Sequence, residues 1–362
     1  MGGRVIVVGS VNIDLVARVP HLPHPGETVT GGSYERHHGG KGGNQAVAAA
    51  RLRRPTLFIG ALGDDSFEAE ARRALATERV DVSMVASLPG QATGVAMILV
   101  DATGENQIVV IPGANGAIEP GYARDSLSRL GPLTGDVVLL CNEVPLHVVR
   151  EALICARAAG ATTILNPAPA TGIDRSVFAL ADIITPNRNE LSMLLNTEAR
   201  RTGRRTDASQ EIPSRARLLI EAGPEGPGVR KAVIVTLGAA GVLVLERAGS
   251  GLDRVESPRM GGGSPSVAAA PAPAAAEEDV ATGAEGDGVR TWEVPGERVA
   301  TVDSTGAGDA FNGALAAAIA EGRALAEAVR RAVAAGAIAT THVGAREGMP
   351  TAAELEEFLA AR

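Results

Sequence analysis

One acidic residue, Asp309, stands at the end of a glycine-rich turn in the segment Val302 to Leu315, VDSTGAGDAFNGAL. The turn runs directly into an alanine-rich, amphipathic pattern that predicts a helix. Free backbone N–H groups at a helix start, together with the positive end of the helix dipole, suit a phosphate or a developing oxyanion. Asp309 could then accept a proton from a hydroxyl nucleophile. The alternative is that Asp309 is an ordinary N-cap and that Gly306 and Gly308 only serve the turn.

A second glycine-rich loop, GGKGGNQA at Gly39 to Ala46, also precedes a predicted helix. It places Lys41 and Asn44 where a polar ligand could meet backbone amides. The loop is not a Walker A motif, because Glu35 occupies the first glycine position and Gly42 replaces the Ser or Thr that would hold magnesium. The first apolar run is followed by GSVNID and not by G-x-G-x-x-G, which disfavours a dinucleotide fold. Any nucleotide is therefore expected to bind by another scheme.

The elements that must position these loops alternate between apolar, β-branched runs and helical stretches. This alternation is typical of βαβ units and a buried parallel sheet, and Pro145 to Gly160 reads as one crossover helix. Two further regions, Asn12 to Tyr34 and Gly94 to Ile111, have the turns of antiparallel ribbons and predict a small sheet that covers a site and excludes water. The runs assigned to the main sheet are Val5 to Val8, Thr56 to Ile59, Asp136 to Cys141, Thr162 to Leu165, Asp182 to Thr185, Ala232 to Thr236 and Val242 to Leu245.

Length and composition narrow the classes of function. At roughly 150 residues per domain, 362 residues suggest two domains or one large α/β body. A net charge of −8 and an aromatic content of 2% argue against nucleic acid as a main partner. No window approaches the roughly 18 apolar residues of a membrane span, and the start of the chain has no signal-peptide core. We therefore expect a soluble, cytoplasmic protein with no nucleic-acid and no membrane partner.

Two biased stretches interrupt the second half of the chain. The first is polar and extends from Thr197 to Ser214, and the second covers about 249–289 and includes GGGSPSVAAAPAPAAAEEDVATGAEGDG. The second stretch has too few large apolar residues to offset the entropy lost on ordering. It predicts a disordered surface insertion.

Five motifs in the same order resemble the ribokinase-like (PfkB) family of sugar kinases. The resemblance extends from Val5 to about Leu359, apart from the two biased stretches. It implies an α/β fold in one domain over 1–362, with a Rossmann-like, mostly parallel central sheet flanked by helices. It also implies a small β-sheet lid from about 12–38 and 94–112, and a homodimer formed through this lid. The five motifs are GGKGGNQA, NPAPA at Asn166 to Ala170, TPNRNE at Thr185 to Glu190, TLGAAG at Thr236 to Gly241, and DSTGAGDAFNGAL.

The activity that the resemblance implies is MgATP-dependent phosphorylation of D-ribose at O5, which gives D-ribose 5-phosphate and ADP. Asp309 would be the general base, and the amides of Gly306, Ala307, Gly308 and Asp309 would form the anion hole for the transferring group. Deoxyribose, another pentose, fructose or a nucleoside are alternative acceptors. A catalytically silent sugar-binding regulator on the same fold is the alternative from another class.

Carboxylates and amides suit a polyol, because each accepts from or donates to adjacent hydroxyls. The sugar-binding residues that the resemblance implies are Asn12, Asp14, Gly40, Lys41, Asn44 and Glu143, with Asp309. The ATP-binding residues that it implies are Asn187, Thr236, Leu237, Gly238, Ala239, Ala240, Gly241 and Gly308. Without the resemblance, Asn12 and Asp14 could be turn residues, Glu143 a helix-start carboxylate, and TPNRNE only a strand end and helix cap.

Two cations follow from the same resemblance. Glu190 would act on magnesium through water. A potassium ion would bind beside the anion hole at Asp303, Thr305, Ala339, His342, Gly344 and Gly348. The chain departs from the family pattern at Gly348, where Ser is frequent, at Val333, where His or Asn often meets the adenine, and at Ser304, where Thr is usual. His37 and His38 predict no metal site, because adjacent side chains in a glycine-rich loop point apart.

Overall fold

The structure is a computed structural model of the chain, and it describes residues 2–202, 211–221, 227–252 and 288–362. The predicted disordered insertion at 249–289 falls mainly on 253–287, which lie outside the described residues. At its far edge this prediction extends slightly too far, because Val289 begins a strand that pairs in the main sheet.

Thirteen strands and ten α-helices occur within the described residues, with two short 3-10 helices at Gly113–Ala117 and Gly238–Ala240. The strands are β1 (Val5–Val8), β2 (Asn12–Arg18), β3 (Ser33–Gly39), β4 (Thr56–Gly63), β5 (Val80–Leu88), β6 (Gly94–Val100), β7 (Asn106–Ile111), β8 (Val137–Cys141), β9 (Thr162–Asn166), β10 (Ile183–Ile184), β11 (Ala232–Thr236), β12 (Val242–Arg247) and β13 (Val289–Val294). The helices are α1 (Lys41–Arg51), α2 (Glu68–Thr77), α3 (Tyr122–Arg129), α4 (Leu146–Ala158), α5 (Arg175–Phe178), α6 (Arg188–Thr202), α7 (Ile212–Ile220), α8 (Ala307–Ala320), α9 (Leu325–Ala339) and α10 (Ala352–Ala360).

The central sheet has nine strands in the order β13-β12-β11-β10-β9-β8-β1-β4-β5. All neighbours from β11 to β5 pair in parallel, which confirms the predicted mostly parallel sheet. The run Val242 to Leu245, which the sequence pattern assigns to the parallel sheet, is instead antiparallel to β11. The reason is the length of the connection, because Leu237 to Gly241 can form a tight turn but not a crossover.

Helices cover both faces of this sheet. Along β1, Val5 and Val7 pack into the core on one face, while Ile6 and Val8 pack into the core on the other. Since all four side chains are buried, β1 is a continuous apolar run, as expected for a strand covered on both sides. Helices α1, α8 and α9 contribute to the first core, and α4, α6 and α7 contribute to the second.

A separate small sheet has four strands in the order β3-β2-β6-β7, and it confirms the predicted second sheet. Strand β2 is antiparallel to β3 and parallel to β6, and β6 forms an antiparallel hairpin with β7. The first residue of β2, Asn12, is joined to the central sheet through only three residues after β1. The small sheet is therefore attached directly to the carboxyl end of a central strand.

Parallel strands bring their carboxyl ends to one edge of the sheet, where α/β proteins bind ligands. Five of the predicted motifs or residues follow such ends, at β1, β8, β9, β10 and β11. The two remaining motifs, GGKGGNQA and DSTGAGDAFNGAL, stand at the starts of α1 and α8. None of the helices that the structure describes has the length and apolar character needed to cross a membrane.

Candidate active site

Asp309 lies in the first turn of α8, whose N-cap is Gly306. Its side chain is buried, and both carboxylate oxygens accept hydrogen bonds from α1. Asn44 Nδ2 donates to Asp309 Oδ2 at 3.1 Å, and Gln45 Nε2 donates to Asp309 Oδ1 at 3.0 Å. The alternative that Asp309 is an ordinary N-cap is therefore wrong, because it is the third helical residue and binds side-chain amides of another helix.

Burial raises the pKa of Asp309, while the nearby ammonium of Lys41 and the hydrogen bonds from Asn44 and Gln45 oppose this rise. In turn, the negative charge of Asp309 is the main cause that raises the pKa of Lys41. The pair thus consists of a buried carboxylate, which is more basic than in water, and a cation that stays charged at neutral pH. A carboxylate of this kind suits proton abstraction from a hydroxyl group.

The carboxylate of Asp309 opens into a cavity of about 210 Å³ at the carboxyl edge of the sheet. Its wall is predominantly polar and includes Lys41, Asn166, Thr185, Asn187, Glu190, Thr236, Ser304, Gly306, Gly308, Asp309 and Asn312. Members of all five predicted motifs meet here, although the motifs are spread along most of the chain.

A second cavity of about 510 Å³ shares Thr236, Ser304 and Gly308 with the first, so the two are adjacent. Gly238, Ala239 and Gly241 of the TLGAAG turn line it, opposite Phe311 and Val333. Leu237 instead packs against the core, and Ala240 is exposed. The structure therefore brings most of the predicted nucleotide residues to one apolar-walled cavity next to Asp309.

Several of the predicted sugar residues, Asp14, Lys41, Asn44 and Glu143, also lie near Asp309. Glu143 Oε2 accepts from Ser10 Oγ at 2.5 Å and from the backbone N–H of Lys41 at 2.9 Å. Glu143, which follows β8, thus links the loop after β1 to the start of α1. Its contacts are not those of a carboxylate that serves only a helix start. Gly40 is the N-cap of α1.

Asn12 is buried and belongs to a side-chain network with Asn115. Asn115 Nδ2 donates to Asn12 Oδ1 at 2.8 Å and to the Val11 carbonyl at 3.0 Å, and its Oδ1 accepts from the Val11 N–H at 3.0 Å. Because Asn12 Oδ1 is occupied, its amide nitrogen is the group that remains to donate to a ligand.

Asp14 lies one pleat further along β2, on the same face of the strand as Asn12. Burial raises the pKa of Asp14 to about 6, and the carboxylates of Glu143 and Asp309 act in the same direction. The guanidinium of Arg346 and the ring of His37 oppose them. Asp14, Glu143 and Asp309 are therefore three carboxylates around a common space, balanced by Lys41 and Arg346.

Asn187 and Glu190 form a reciprocal cap at the start of α6. The backbone N–H of Glu190 donates to Asn187 Oδ1, and the backbone N–H of Asn187 donates to Glu190 Oε2, both at 2.8 Å. Capping the start of α6, the alternative interpretation of TPNRNE, is thus one role of these residues. Both also line the cavity of Asp309, and burial raises the pKa of Glu190.

The predicted cation residues belong to two adjoining loops. Asp303 Oδ1 accepts from the N–H and hydroxyl of Thr305, and Asp303 Oδ2 accepts from the Gly344 N–H at 2.9 Å. A Cβ on Gly348 would lie 2.4 Å from the Ala339 carbonyl oxygen. Glycine at this position thus allows the connection after α9 to pack against the carboxyl end of that helix. His342 is exposed, and its Nδ1 lies 3.0 Å from the Thr341 hydroxyl.

Sequence reasoning missed several residues that the structure places around Asp309. Gln45 Nε2 also donates to Asn166 Oδ1 at 3.1 Å, and Asn312 Nδ2 donates to the Gly308 carbonyl at 2.8 Å. The Thr185 hydroxyl donates to Asn312 Oδ1 at 2.6 Å. Each of these residues lies inside one of the five motifs, so membership of a motif was the available signal. Arg346 lies outside all five motifs, and no sequence pattern indicated it.

Comparison with known proteins agrees with this geometry. The model of the pfkB family carbohydrate kinases matches residues 3–259 and 279–352. The chain belongs to the pfkB family of carbohydrate kinases. A curated relative, the ribokinase of Haemophilus influenzae, is 34% identical over 353 residues, which cover 98% of this chain and 97% of the relative. The protein is accordingly a carbohydrate kinase.

Two solved structures share the fold over nearly the whole chain. Ribokinase from Thermotoga maritima superposes with a TM-score of 0.76 at 30% identity and covers 99% of both chains. Arabidopsis thaliana ribokinase, solved in complex with ribose and ATP, has a TM-score of 0.74 at 26% identity, again covering 99% of both chains. These likenesses agree with the observed central sheet and its helices.

Proposed function

We propose that this carbohydrate kinase transfers the γ-phosphoryl group of ATP to O5 of D-ribose, giving D-ribose 5-phosphate and ADP. The observation that carries the proposal is the position of Asp309, a buried carboxylate between a polar, carboxylate-rich space and an adjacent apolar-walled cavity. The similarity of the chain to ribokinases over nearly its full length supports ribose as the acceptor.

In this mechanism Asp309 accepts the proton of the O5 hydroxyl as O5 attacks the γ-phosphorus in line. The new O5–P bond forms while the bond from the γ-phosphorus to the bridging oxygen of ADP breaks, and ADP leaves with that electron pair. The backbone amides of Gly306, Ala307, Gly308 and Asp309, at the start of α8, donate to the oxygens of the transferring group. Positioning and charge stabilisation are then supplied by one turn.

The sugar is held on the lid side of Asp309. The amide N–H of Asn12 donates to a sugar oxygen, and Asp14 accepts from sugar hydroxyls on the same face of β2. The side chains of Lys41, Asn44 and Glu143 and the backbone of Gly40 complete the sugar-binding set. A sugar that lacked a contacted hydroxyl would leave one of these buried groups unpaired, which favours acceptors with a full set of hydroxyls.

ATP occupies the 510 Å³ cavity. The turn from Thr236 to Gly241 forms its wall through Thr236, Gly238, Ala239 and Gly241, while Leu237 and Ala240 complete that turn. Val333 lies in the same wall, where an apolar side chain contacts the base by packing. The phosphates extend past Gly308 into the polar cavity, where Asn187 approaches them.

Magnesium fits this polar cavity only together with the substrate. Within the part of the chain that the structure describes, no group of three or more His, Cys, Asp or Glu residues could hold a metal alone. The wall of this cavity contains two carboxylates, Asp309 and Glu190, and magnesium favours few carboxylates together with waters and phosphate oxygens, so Glu190 would hold the ion through water. When bound, the ion would neutralise negative charge on the β- and γ-phosphates.

Potassium fits the loops beside the anion hole because their donors are oxygens. The residues that would hold it are Asp303, Thr305, Ala339, His342, Gly344 and Gly348, mostly through backbone carbonyls. The backbone N–H groups of Val302 and Asp303 both donate to the Thr340 carbonyl, which ties the two loops together. A bound cation would supply a fixed positive charge near the turn that receives the phosphoryl group.

The lid face supports a homodimer. In β7, Ile108, Val109, Val110 and Ile111 are all exposed, and β7 is an edge strand of the small sheet. An exposed apolar edge strand is a ready surface for pairing with a second chain. We propose that two lids pair there, and that the dimer works in the cytoplasm.

The test is ATP consumption measured with magnesium against a panel of pentoses, hexoses and nucleosides, with and without potassium. Ribose is expected to give the highest kcat/KM. A higher value for deoxyribose, fructose or a nucleoside would contradict the acceptor but not the catalytic base. Ribose binding without turnover of any acceptor would instead favour a sugar-binding regulator.

A further inference from the structure

Arg346, in the connection between α9 and α10, is a buried cation next to the sugar site. Its side chain is only 6% exposed, and burial lowers the pKa of its guanidinium to about 10. Among the described residues its hydrogen-bond acceptors are neutral and its Nη1 is buried without a hydrogen-bond partner, while the carboxylates of Asp14, Glu78, Glu347 and Asp309 act on it through space. A buried charge without a hydrogen-bonded counter-charge is costly to a fold, so its presence here calls for a functional explanation.

The remaining nitrogens of Arg346 make specific contacts to the second glycine-rich loop. Nε donates to Asn44 Oδ1 at 3.0 Å, and Nη2 donates to the Gly39 carbonyl at 3.0 Å. The guanidinium also lies against Gly43, where a Cβ would be 2.5 Å from Nη2. Arg51 fixes the backbone of this segment, because its Nη1 donates to the Arg346 carbonyl at 2.6 Å.

The contact with Asn44 decides which way that amide faces. A guanidinium has only donors, so Asn44 must turn its oxygen towards Arg346. Its amide nitrogen is then directed to Asp309 Oδ2, the contact observed at 3.1 Å. Without the guanidinium, the Asn44 oxygen would lose its donor, and the contact with Asp309 alone would hold the plane of the amide.

The contact with Gly39 brings the same charge close to Asp14. The carboxylate of Asp14 packs against the Cα of Gly39, since a Cβ there would lie 2.2 Å from both carboxylate oxygens. The charged groups that act on Asp14 are Arg346, Glu143, His37 and Asp309, and Arg346 is the strongest charge that lowers its pKa. Removing Arg346 would therefore leave Asp14 facing two carboxylates with only His37 to oppose them.

We propose that Arg346 is a positioning residue of the sugar site, which orients the Asn44 amide towards the general base and keeps Asp14 ionised as an acceptor for sugar hydroxyls. The proposal rests on the proposed sugar kinase function. It assigns two separable roles to one side chain. The orientation of Asn44 needs the planar guanidinium with its several N–H donors, whereas the ionisation of Asp14 needs only the positive charge.

Three variants separate these roles. R346Q removes the charge, and R346K keeps the charge but lacks the planar guanidinium. R51Q is the matched structural control. R51Q loosens the same backbone segment and also removes a positive charge, but Arg51 is not among the groups that act on Asp14. For each variant, kcat and the KM values for ribose and ATP are measured between pH 5.5 and 8.5, after a thermal melt confirms folding.

For R346Q we expect the KM for ribose to rise about fivefold more at pH 6 than at pH 8, because a rise of about one unit from the native pKa of about 6 lowers the ionised fraction of Asp14 from about one-half to about one-tenth at pH 6 and hardly changes it at pH 8. The KM for ATP should stay within about twofold. For R346K we expect the pH profile of the native protein with a kcat lowered about tenfold, since an ammonium cannot bridge Asn44 and Gly39 as the planar guanidinium does. R51Q should lower the melting temperature and leave the pH profile unchanged.

An R346Q protein with the native pH profile, or with the same profile as R51Q, would overturn the electrostatic role. An R346K protein with native kcat would overturn the orienting role, and this arm remains decisive if R346Q does not fold. Failure of the proposed function is recognised separately, because the native protein would then not phosphorylate ribose at any pH.

Discussion

Replacing Asp309 by Asn removes the proposed general base with little change in volume. The carboxylate is buried and accepts from Asn44 and Gln45. In the variant, the asparagine oxygen can accept from one of these two amides, while its NH2 group faces the N–H donor of the other. A positioned general base contributes about 10²- to 10⁴-fold to a rate. The variant also loses a charge beside Lys41. We therefore expect kcat to fall at least about a thousandfold, which corresponds to roughly 4 kcal/mol in the barrier.

The assay couples ADP release to NADH oxidation at saturating ribose and MgATP, and ribose binding is followed in parallel by calorimetry. Asp309→Asn should bind ribose within a few-fold of the native affinity. The matched control is Asp182→Asn, because Asp182 is equally buried but pairs with Arg230 and Thr163, away from both cavities. Turnover within tenfold of native by Asp309→Asn, with the control also active, would refute the assignment of the base.

Three further predictions follow from other contacts. Asp14→Asn should raise the unfolding free energy by up to about 3 kcal/mol at pH 8, because the native pKa of about 6 lies above the unfolded value of 3.8 and the ionised form is therefore disfavoured on folding. This gain should vanish between about pH 6 and 4, and urea unfolding at pH 4 and 8 checks it. Asn115→Ala should raise the KM for ribose about tenfold with the KM for ATP unchanged, since Asn115 orients the amide of Asn12; equal changes in both constants would contradict this. Val110→Glu should give a monomer by light scattering if lids pair, whereas Ile154→Glu, at an exposed apolar site on α4, should not change the mass.

Much of the fold could be predicted from local sequence alone. The parallel strands are short, continuous apolar runs because both faces of each are covered, and Val5 to Val8 is the clearest example. Strand β5 was not predicted, since its residues alternate between buried and exposed and its run contains Asp81 and Ser83. The direction of β12 was wrong because an apolar run does not encode its pairing direction, which the length of the preceding turn decides.

The candidate site was predictable where one motif carries both the residue and its setting. Asp309 stands out because a glycine turn and a helix start flank it. Its partners on α1 were harder to foresee, because Gln45 binds it across 264 positions of the chain. Arg346 could not have been found from sequence, since its importance depends on burial against Gly39 and Gly43, which only the folded chain reveals.

The position of the transferred phosphate tests the central claim most directly. The protein is incubated with MgATP and an equimolar mixture of ribose, 2-deoxyribose, fructose and adenosine, and the products are identified by ³¹P and ¹³C NMR. The account predicts that D-ribose 5-phosphate accumulates first, with phosphorus coupled to C5 of the sugar and ADP formed in equal amount. A phosphate on another carbon of ribose, or a first product derived from one of the other acceptors, would contradict it.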